Sequence, residues 1–132
     1  MIVSVLAIAI LSLSGMTAFA SSYTYTPVYM PAYQGHCTLK AGRKDSVSST
    51  TASNRIDRLG NDNKYANCWV DNMTSGGRGY ATDVTRCQKN TLTKMTYING
   101  YDWTDAVELR AYASDYGSKT TLIQGYVNFD TN

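Results

Sequence analysis

The sequence predicts an all-β fold, a small antiparallel β-sandwich or open barrel of about six to eight short strands. The 132-residue chain contains eleven Tyr but a single Glu, and β-branched and aromatic residues dominate after residue 20. Several segments alternate apolar and polar residues with a period of two, and Gly- or Asn-containing turns separate them. These observations favour sheet over helix along the whole domain.

Residues 1–20 are typical of a secretory signal peptide, because an apolar run leads into the small-residue site Ala18-Phe19-Ala20. The expected product is a single secreted β-domain over residues 21–132. An uncleaved membrane anchor is the alternative, but the polar second half of the run favours cleavage. No stable membrane span is then expected in the extracellular product.

The first predicted strand follows directly, with Tyr23, Tyr25 and Tyr29 on one face of a period-two pattern. Pro27 lies within it and has no backbone N–H to donate, so this segment is expected at the edge of a sheet. A short run from residue 36 to residue 41 resumes the pattern.

Residues 43–63 are mostly small or polar and show no sustained apolar period. We therefore interpret this segment as a flexible connection, within which a weak strand at 47–51 or one helical turn near Ile56 and Leu59 remain alternatives.

A central hairpin is predicted over residues 64–88, with the glycine-rich turn at residues 76–79. That register places Cys68 directly opposite Cys87 and predicts a disulfide between them. Closing this loop is worth about 3 kcal/mol in the chain-entropy treatment. Cys37 is then left over, either buried and inert or pairing between chains.

Two further hairpins are expected towards the end of the chain. Asn99-Gly100 is the signature of a two-residue type I′ turn, which would pair the strand from residue 92 with the segment after the turn; a loop is the alternative. The last hairpin would pair the alternating run from Val107 to Ala113 with that from Ile123 to Phe129.

No catalytic residue, metal ligand or cofactor site is expected. His36 adjoins Cys37, but neighbours on a strand point to opposite faces and cannot easily share a proton. The three cysteines and His36 lack the closely spaced ligand pairs of structural zinc sites. The sequence Asn61-Asp62-Asn63 offers hard oxygens for calcium, yet these are also residues that turns prefer. Glu108 alternates with core positions and is expected in solvent, unsuited to glycosidase chemistry.

Aromatic residues are the one feature that indicates binding. Flat rings can contact a glycan or a partner surface, although Tyr also fills half-buried sheet faces. The candidate binding surface comprises Tyr23, Tyr25, Tyr29, Tyr101, Trp103 and Tyr112.

The chain resembles small secreted proteins of unknown function from Gram-positive bacteria, including some grouped loosely with lactococcin-like bacteriocins. The resemblance lies in the signal peptide, the opening YTYTPVYMPAY, the central WVDNMTSGGRG and the ending VELRAYASDYG…LIQGYVNFD. It implies a non-enzymatic secreted domain, and no catalytic residues come with it.

The expected function is therefore binding at a cell envelope or a protein partner, with a bacteriocin-like effector as one form. A structural surface component that self-associates through Cys37 or an edge strand is the alternative, and a secreted enzyme is the weaker one. A formal charge of only +2 argues against nucleic acid as a partner.

Overall fold

The chain forms an all-β sandwich, which confirms the predicted fold class. The computed structural model describes residues 22–73, 79–98 and 100–132, and these contain nine β-strands in two antiparallel sheets without a helix. The strands are β1 (Ser22–Met30), β2 (Cys37–Lys44), β3 (Thr51–Leu59), β4 (Tyr65–Asn72), β5 (Gly79–Tyr80), β6 (Thr85–Gln88), β7 (Leu92–Thr96), β8 (Asp105–Ala113) and β9 (Thr121–Thr131). The predicted signal peptide lies outside the described residues.

The four-stranded sheet has the order β1-β9-β3-β7, and the five-stranded sheet has the order β2-β8-β4-β5, with β6 also paired to β4. Their inner faces enclose one apolar core. No helix that could cross a bilayer occurs within the described ranges.

The apolar stripes of β8 and β9 face the core as predicted, since Val107, Leu109, Ile123 and Phe129 are all buried. The predicted hairpin between these strands is wrong, however, because β8 lies in the five-stranded sheet and β9 in the four-stranded sheet. Alternation identifies the face that a strand buries, and the two stripes meet across the sandwich instead of pairing side by side.

The predicted flexible connection at 43–63 is also wrong in its second half, because residues 51–59 form β3, a central strand between β9 and β7. The inward positions of β3 are occupied by Ala52, Asn54 and Ile56, all fully buried. A polar Asn between two apolar residues conceals the period of two in the sequence. Its amide is satisfied by hydrogen bonds inside the core.

Strand β1 lies at the edge of the four-stranded sheet, as expected for a strand with Pro27. Its register against β9 shifts between Tyr25 and Val28. This irregularity at the proline reverses which residues point inward, so Tyr25 is buried whereas Tyr29 is exposed. The predicted single face of rings therefore breaks within the strand.

The central hairpin exists, but its predicted register is wrong. Cys68 pairs with Thr85, and Cys87 pairs with Ala66. Residues 81–84 interrupt the second strand between β5 and β6 and change its pairing with β4. Of the predicted turn, only Gly79 lies among the described residues, and it belongs to β5.

The predicted hairpin at Asn99-Gly100 is wrong as well, because β7 pairs with β3 and not with β8. Gly100 has a φ of 86°, and the residues after it form an irregular loop that crosses between the sheets. The loop alternative of the sequence analysis is the one that the structure adopts.

Candidate binding site on the five-stranded sheet

The outward face of the five-stranded sheet carries an unusual set of aromatic and charged side chains. Residues that alternate with the core positions of β4 and β8 point outward, and cross-strand pairing places Trp69 beside Arg110. Asp71 pairs with Glu108 on one side and with Tyr80 of β5 on the other. Strands that are distant in sequence thus bring these groups together.

Trp69 is the centre of an aromatic cluster on this face. Its indole is only 2 % exposed although it points away from the core. Three rings surround it: His36 meets it edge-on at 4.9 Å between centroids, while Tyr80 and Tyr112 are each tilted against it at 5.9 Å. His36 also stacks on Tyr112 at 5.2 Å. Such offset and edge contacts are the favourable geometries for aromatic pairs, so the cluster is a small rigid platform.

Polar groups fix the base of this cluster. The Trp69 indole N–H donates to Asp71 Oδ1 at 2.8 Å, which holds the carboxylate in place. Asp71 Oδ2 lies 3.8 Å from Arg110 Nε, within ion-pair range but too far for a hydrogen bond.

Arg110 is anchored from its other end. Its Nη1 donates to Thr38 Oγ1 at 2.7 Å, and the Thr38 hydroxyl in turn donates to Glu108 Oε2 at 3.0 Å. Arg110 Nε is buried and has no hydrogen-bond partner. A buried donor without an acceptor costs free energy, so the position of Arg110 is held by its other contacts and not by this N–H.

A cavity of about 170 Å³ opens between these groups, lined by His36, Trp69, Asp71, Gly79, Tyr80 and Arg110. Pockets for drug-sized ligands measure about 300–1,000 Å³, so this cavity accommodates a single ring or a group of similar size. Its rim is exposed aromatic surface, with Tyr80 at 55 % exposure. Its floor offers one cation and one carboxylate side by side.

The aromatic surface predicted from sequence does not form one patch. Tyr25 is buried, Tyr23 packs against Phe129 at the core margin, and Trp103 packs edge-on against Tyr97. Tyr29 and Tyr101 are exposed. Of the predicted set, Tyr112 alone belongs to the Trp69 cluster. The other members of the site were missed because they lie on strands whose pairing the sequence does not reveal.

A second polar cluster lies inside the core and involves the predicted disulfide. Tyr25 Oη donates to Asn54 Oδ1 at 2.9 Å, and Asn54 Nδ2 donates to Cys68 Sγ at 3.6 Å. Cys68 and Cys87 share a hydrogen bond. No disulfide joins them, and all three cysteines are free thiols. The predicted bond is thus not formed, although both thiols do point to the same inner face.

The environment of this cluster shifts its pKa values. The hydrogen bond with Cys87, with burial, raises the pKa of Cys68. The hydrogen bond received from Cys68 lowers the pKa of Cys87, although burial opposes it. Burial raises the pKa of Tyr25 above its ordinary value. The structural role of the cluster is to satisfy the Asn54 amide.

Lys44, the last residue of β2, is a further buried polar group. The side chain is fully buried, and its ammonium donates to the carbonyl oxygens of Ser46 at 2.5 Å, Tyr101 at 2.6 Å and Trp103 at 2.8 Å. It also lies 5.0 Å from the Trp103 ring centroid. Burial lowers the pKa of Lys44. The ammonium joins the β2–β3 and β7–β8 loops.

The other chemical candidates separate in space. His36 lies in the outer cluster whereas Cys37 packs against the core, so neighbouring side chains do take opposite faces. Among the described residues, no group of three or more His, Cys, Asp or Glu side chains is placed to hold a metal ion. Asn61 and Asp62 adopt positive φ angles in the β3–β4 turn, as the turn interpretation predicts.

Comparisons with known proteins add no further constraint. No family model, no curated protein and no solved structure matches the chain. The function therefore has to be inferred from the site itself.

Proposed function

We propose that this protein is an exported, non-enzymatic binding domain that attaches to a cell envelope through the Trp69 cluster. The single observation that carries the proposal is the juxtaposition of exposed rings with the Asp71 and Arg110 pair at one small cavity. Rings supply flat apolar contact at little entropic cost, and a fixed charged pair supplies orientation.

Rigidity supports this assignment. The Asp71 carboxylate and the Arg110 guanidinium are each held by a hydrogen bond to a neighbour on the sheet, at 2.8 Å and 2.7 Å. Both side chains are largely buried, with 10 % and 17 % exposure. A site whose polar groups are already oriented loses little side-chain entropy on binding. Export rests on the signal-like residues 1–20.

The test is co-sedimentation of the purified protein with isolated Gram-positive cell walls. We expect wild-type protein to pellet with the walls and Tyr80→Ala to bind about tenfold more weakly, because one exposed ring of the rim is lost. Tyr29→Ala is the matched control, since Tyr29 is 64 % exposed on the other sheet. Equal binding of both variants, or wild-type protein that stays in the supernatant, would contradict the proposal. Binding to a purified surface protein instead would assign the site to a protein partner.

A bacteriocin-like effector is one form of this function. It predicts that the purified protein inhibits the growth of neighbouring strains and that Tyr80→Ala reduces the inhibition. If the protein binds walls but inhibits no strain, the binding function stands and the effector function is rejected.

A structural component that self-associates is the second candidate. The edge position of β1 and the exposure of Tyr29 favour it, because an edge strand presents unpaired backbone groups. Sedimentation velocity over a hundredfold concentration range tests it, and a constant monomer would count against it. Reducing and non-reducing gels test the form linked through Cys37.

A secreted enzyme is the third candidate, since Asp71 and Glu108 are carboxylates on directly paired residues. Both carboxylates already accept hydrogen bonds, from Trp69 and Thr38. Because these carboxylates are already engaged by neighbouring donors, the site is better suited to binding than to proton transfer. Release of reducing sugar from cell walls on incubation would overturn that preference.

A further inference from the structure

We propose that Tyr33 and Tyr116 form a modification site, at which a one-electron oxidant joins the two rings into a dityrosine cross-link. Their ring centroids lie 5.3 Å apart, and the ring planes are tilted by 54°. Both side chains are open to an oxidant, with 56 % and 73 % exposure. Among the ring pairs of the described residues, this pair alone joins two tyrosines. The site is separate from the Trp69 cluster and goes beyond the binding role.

Two loops hold these rings side by side. Tyr33 lies in the β1–β2 loop and Tyr116 in the β8–β9 loop. The Tyr33 N–H donates to the Gly117 carbonyl oxygen at 2.7 Å, and Gln34 Nε2 donates to the Ser114 carbonyl oxygen at 3.1 Å. Tyr33 has a φ of 58°, a left-handed conformation that a bulky residue adopts only where its surroundings fix it. The rings are therefore neighbours before any reaction, and their coupling needs no search between loops.

The other exposed tyrosines lack this arrangement. Tyr29 and Tyr101 are exposed, but no tyrosine ring of the described residues contacts either of them. Tyr80 contacts Trp69, whose indole is only 2 % exposed. A radical on an isolated tyrosine must meet a second chain before it can couple, whereas each member of the proposed pair already has its partner beside it. Coupling within one chain is therefore favoured at this site.

The reaction balances with hydrogen peroxide as the oxidant and a haem peroxidase as the one-electron carrier. Each phenol loses one electron and one proton and becomes a phenoxyl radical. The two unpaired electrons form a C–C bond between ring carbons ortho to the hydroxyl groups, and the hydrogens on those carbons shift to oxygen to restore both phenols. Peroxide takes up the two electrons and the two protons and leaves as two water molecules. The protein loses two hydrogen atoms in total.

The cross-link would stabilise the fold because it ties together two loops that are distant in the chain. Tyr33 and Tyr116 are about 80 positions apart in the sequence. A covalent bond across so long a segment reduces the entropy of the unfolded chain, as a disulfide does. The modified protein should therefore melt about 10 °C or more above the unmodified protein.

The test is treatment of the purified protein with a haem peroxidase and one equivalent of hydrogen peroxide. We expect a monomeric product that has lost two hydrogen atoms by intact mass and that emits the fluorescence of dityrosine. Its tryptic map should join the peptide that contains Tyr33 to the peptide that contains Tyr116. Cross-linked dimers in place of this monomer, or coupling between other tyrosines, would overturn the proposal.

Tyr33→Phe and Tyr116→Phe are the sharpest variants, because each keeps the ring and removes the hydroxyl on which the radical forms. Each should lower the yield of monomeric dityrosine by about tenfold or more, since the effective concentration of the paired phenols is lost. The melting temperature before oxidation should stay near that of wild type. Tyr29→Phe is the matched control, because Tyr29 is 64 % exposed, and it should couple as wild type does. A wild-type yield in either variant of the pair would contradict the assignment.

Discussion

Replacing Lys44 with Met removes a buried ammonium and leaves its three carbonyl partners without that donor. The hydrogen bonds join Lys44 Nζ to Ser46, Tyr101 and Trp103 at 2.5–2.8 Å. Bonds from a charged donor contribute about 1.5–3 kcal/mol each. The methionine variant no longer has to bury a charge, and the desolvation cost that it avoids offsets several kcal/mol of that sum. We expect Lys44→Met to lower the free energy of unfolding by about 3 kcal/mol.

Urea unfolding followed by tryptophan fluorescence measures this loss. The midpoint should shift to lower urea with an unchanged slope, because the amount of surface exposed on unfolding is nearly the same. Lys40→Met is the matched control, since Lys40 lies on the same strand, is only partly buried and should change stability by about 0.5 kcal/mol or less. If Lys44→Met were as stable as Lys40→Met, the three carbonyl bonds would not stabilise the fold.

Three further predictions follow from the packing and the buried groups. Gly125→Ala should prevent folding, because a Cβ would lie 2.0 Å from the Arg55 carbonyl oxygen and force β3 and β9 apart. Gly79→Ala is the control and should fold, because a Cβ there would meet no atom within 4 Å. Circular dichroism of both variants tests this. Burial raises the pKa of Tyr97, so the native state retains this proton and the free energy of unfolding should fall as the pH rises above about 10. Urea midpoints measured from pH 9 to 11 should decline less in Tyr97→Phe than in the wild type. Parallel declines in the two proteins would contradict this. Iodoacetamide should modify only Cys37 in the native protein and all three cysteines in urea without reductant, as mass spectrometry will show; a single adduct in urea would mean that the other two are bonded.

Sequence patterns predicted which faces of the long strands are buried but not which strands pair. Val107 to Ala113 and Ile123 to Phe129 alternate so regularly that their inward residues were correct. Their partners were not, because an apolar stripe packs equally well against a neighbour across the sandwich. Partner choice depends on contacts between distant segments.

Buried polar groups account for the wrong prediction over residues 43–63. Asn54 occupies a core position of β3, and Lys44 ends β2 fully buried, so both segments resembled solvated chain. Each is compatible with burial only because distant groups satisfy it, Tyr25 for the amide and loop carbonyls for the ammonium. A window of neighbouring residues contains none of that information.

The candidate site was only partly predictable for the same reason. The sequence marked Glu108 and its neighbours as the polar face of β8, and the same alternation places Trp69 and Asp71 together on β4. The available signal was that the outward face of each strand combines a large ring with a charge, Trp69 with Asp71 on β4 and Tyr112 with Arg110 on β8. Only the pairing of β4 with β8 turns them into one site.

The most direct measurement is a nuclear magnetic resonance titration of ¹⁵N-labelled protein with soluble cell-wall fragments. Binding through the Trp69 cluster predicts that the indole N–H of Trp69 and the Nε–H of Arg110 shift together and saturate at one ligand concentration. Shifts confined to the backbone amides of Tyr33 and Tyr116, which do not line the cavity, or none at any concentration, would contradict it.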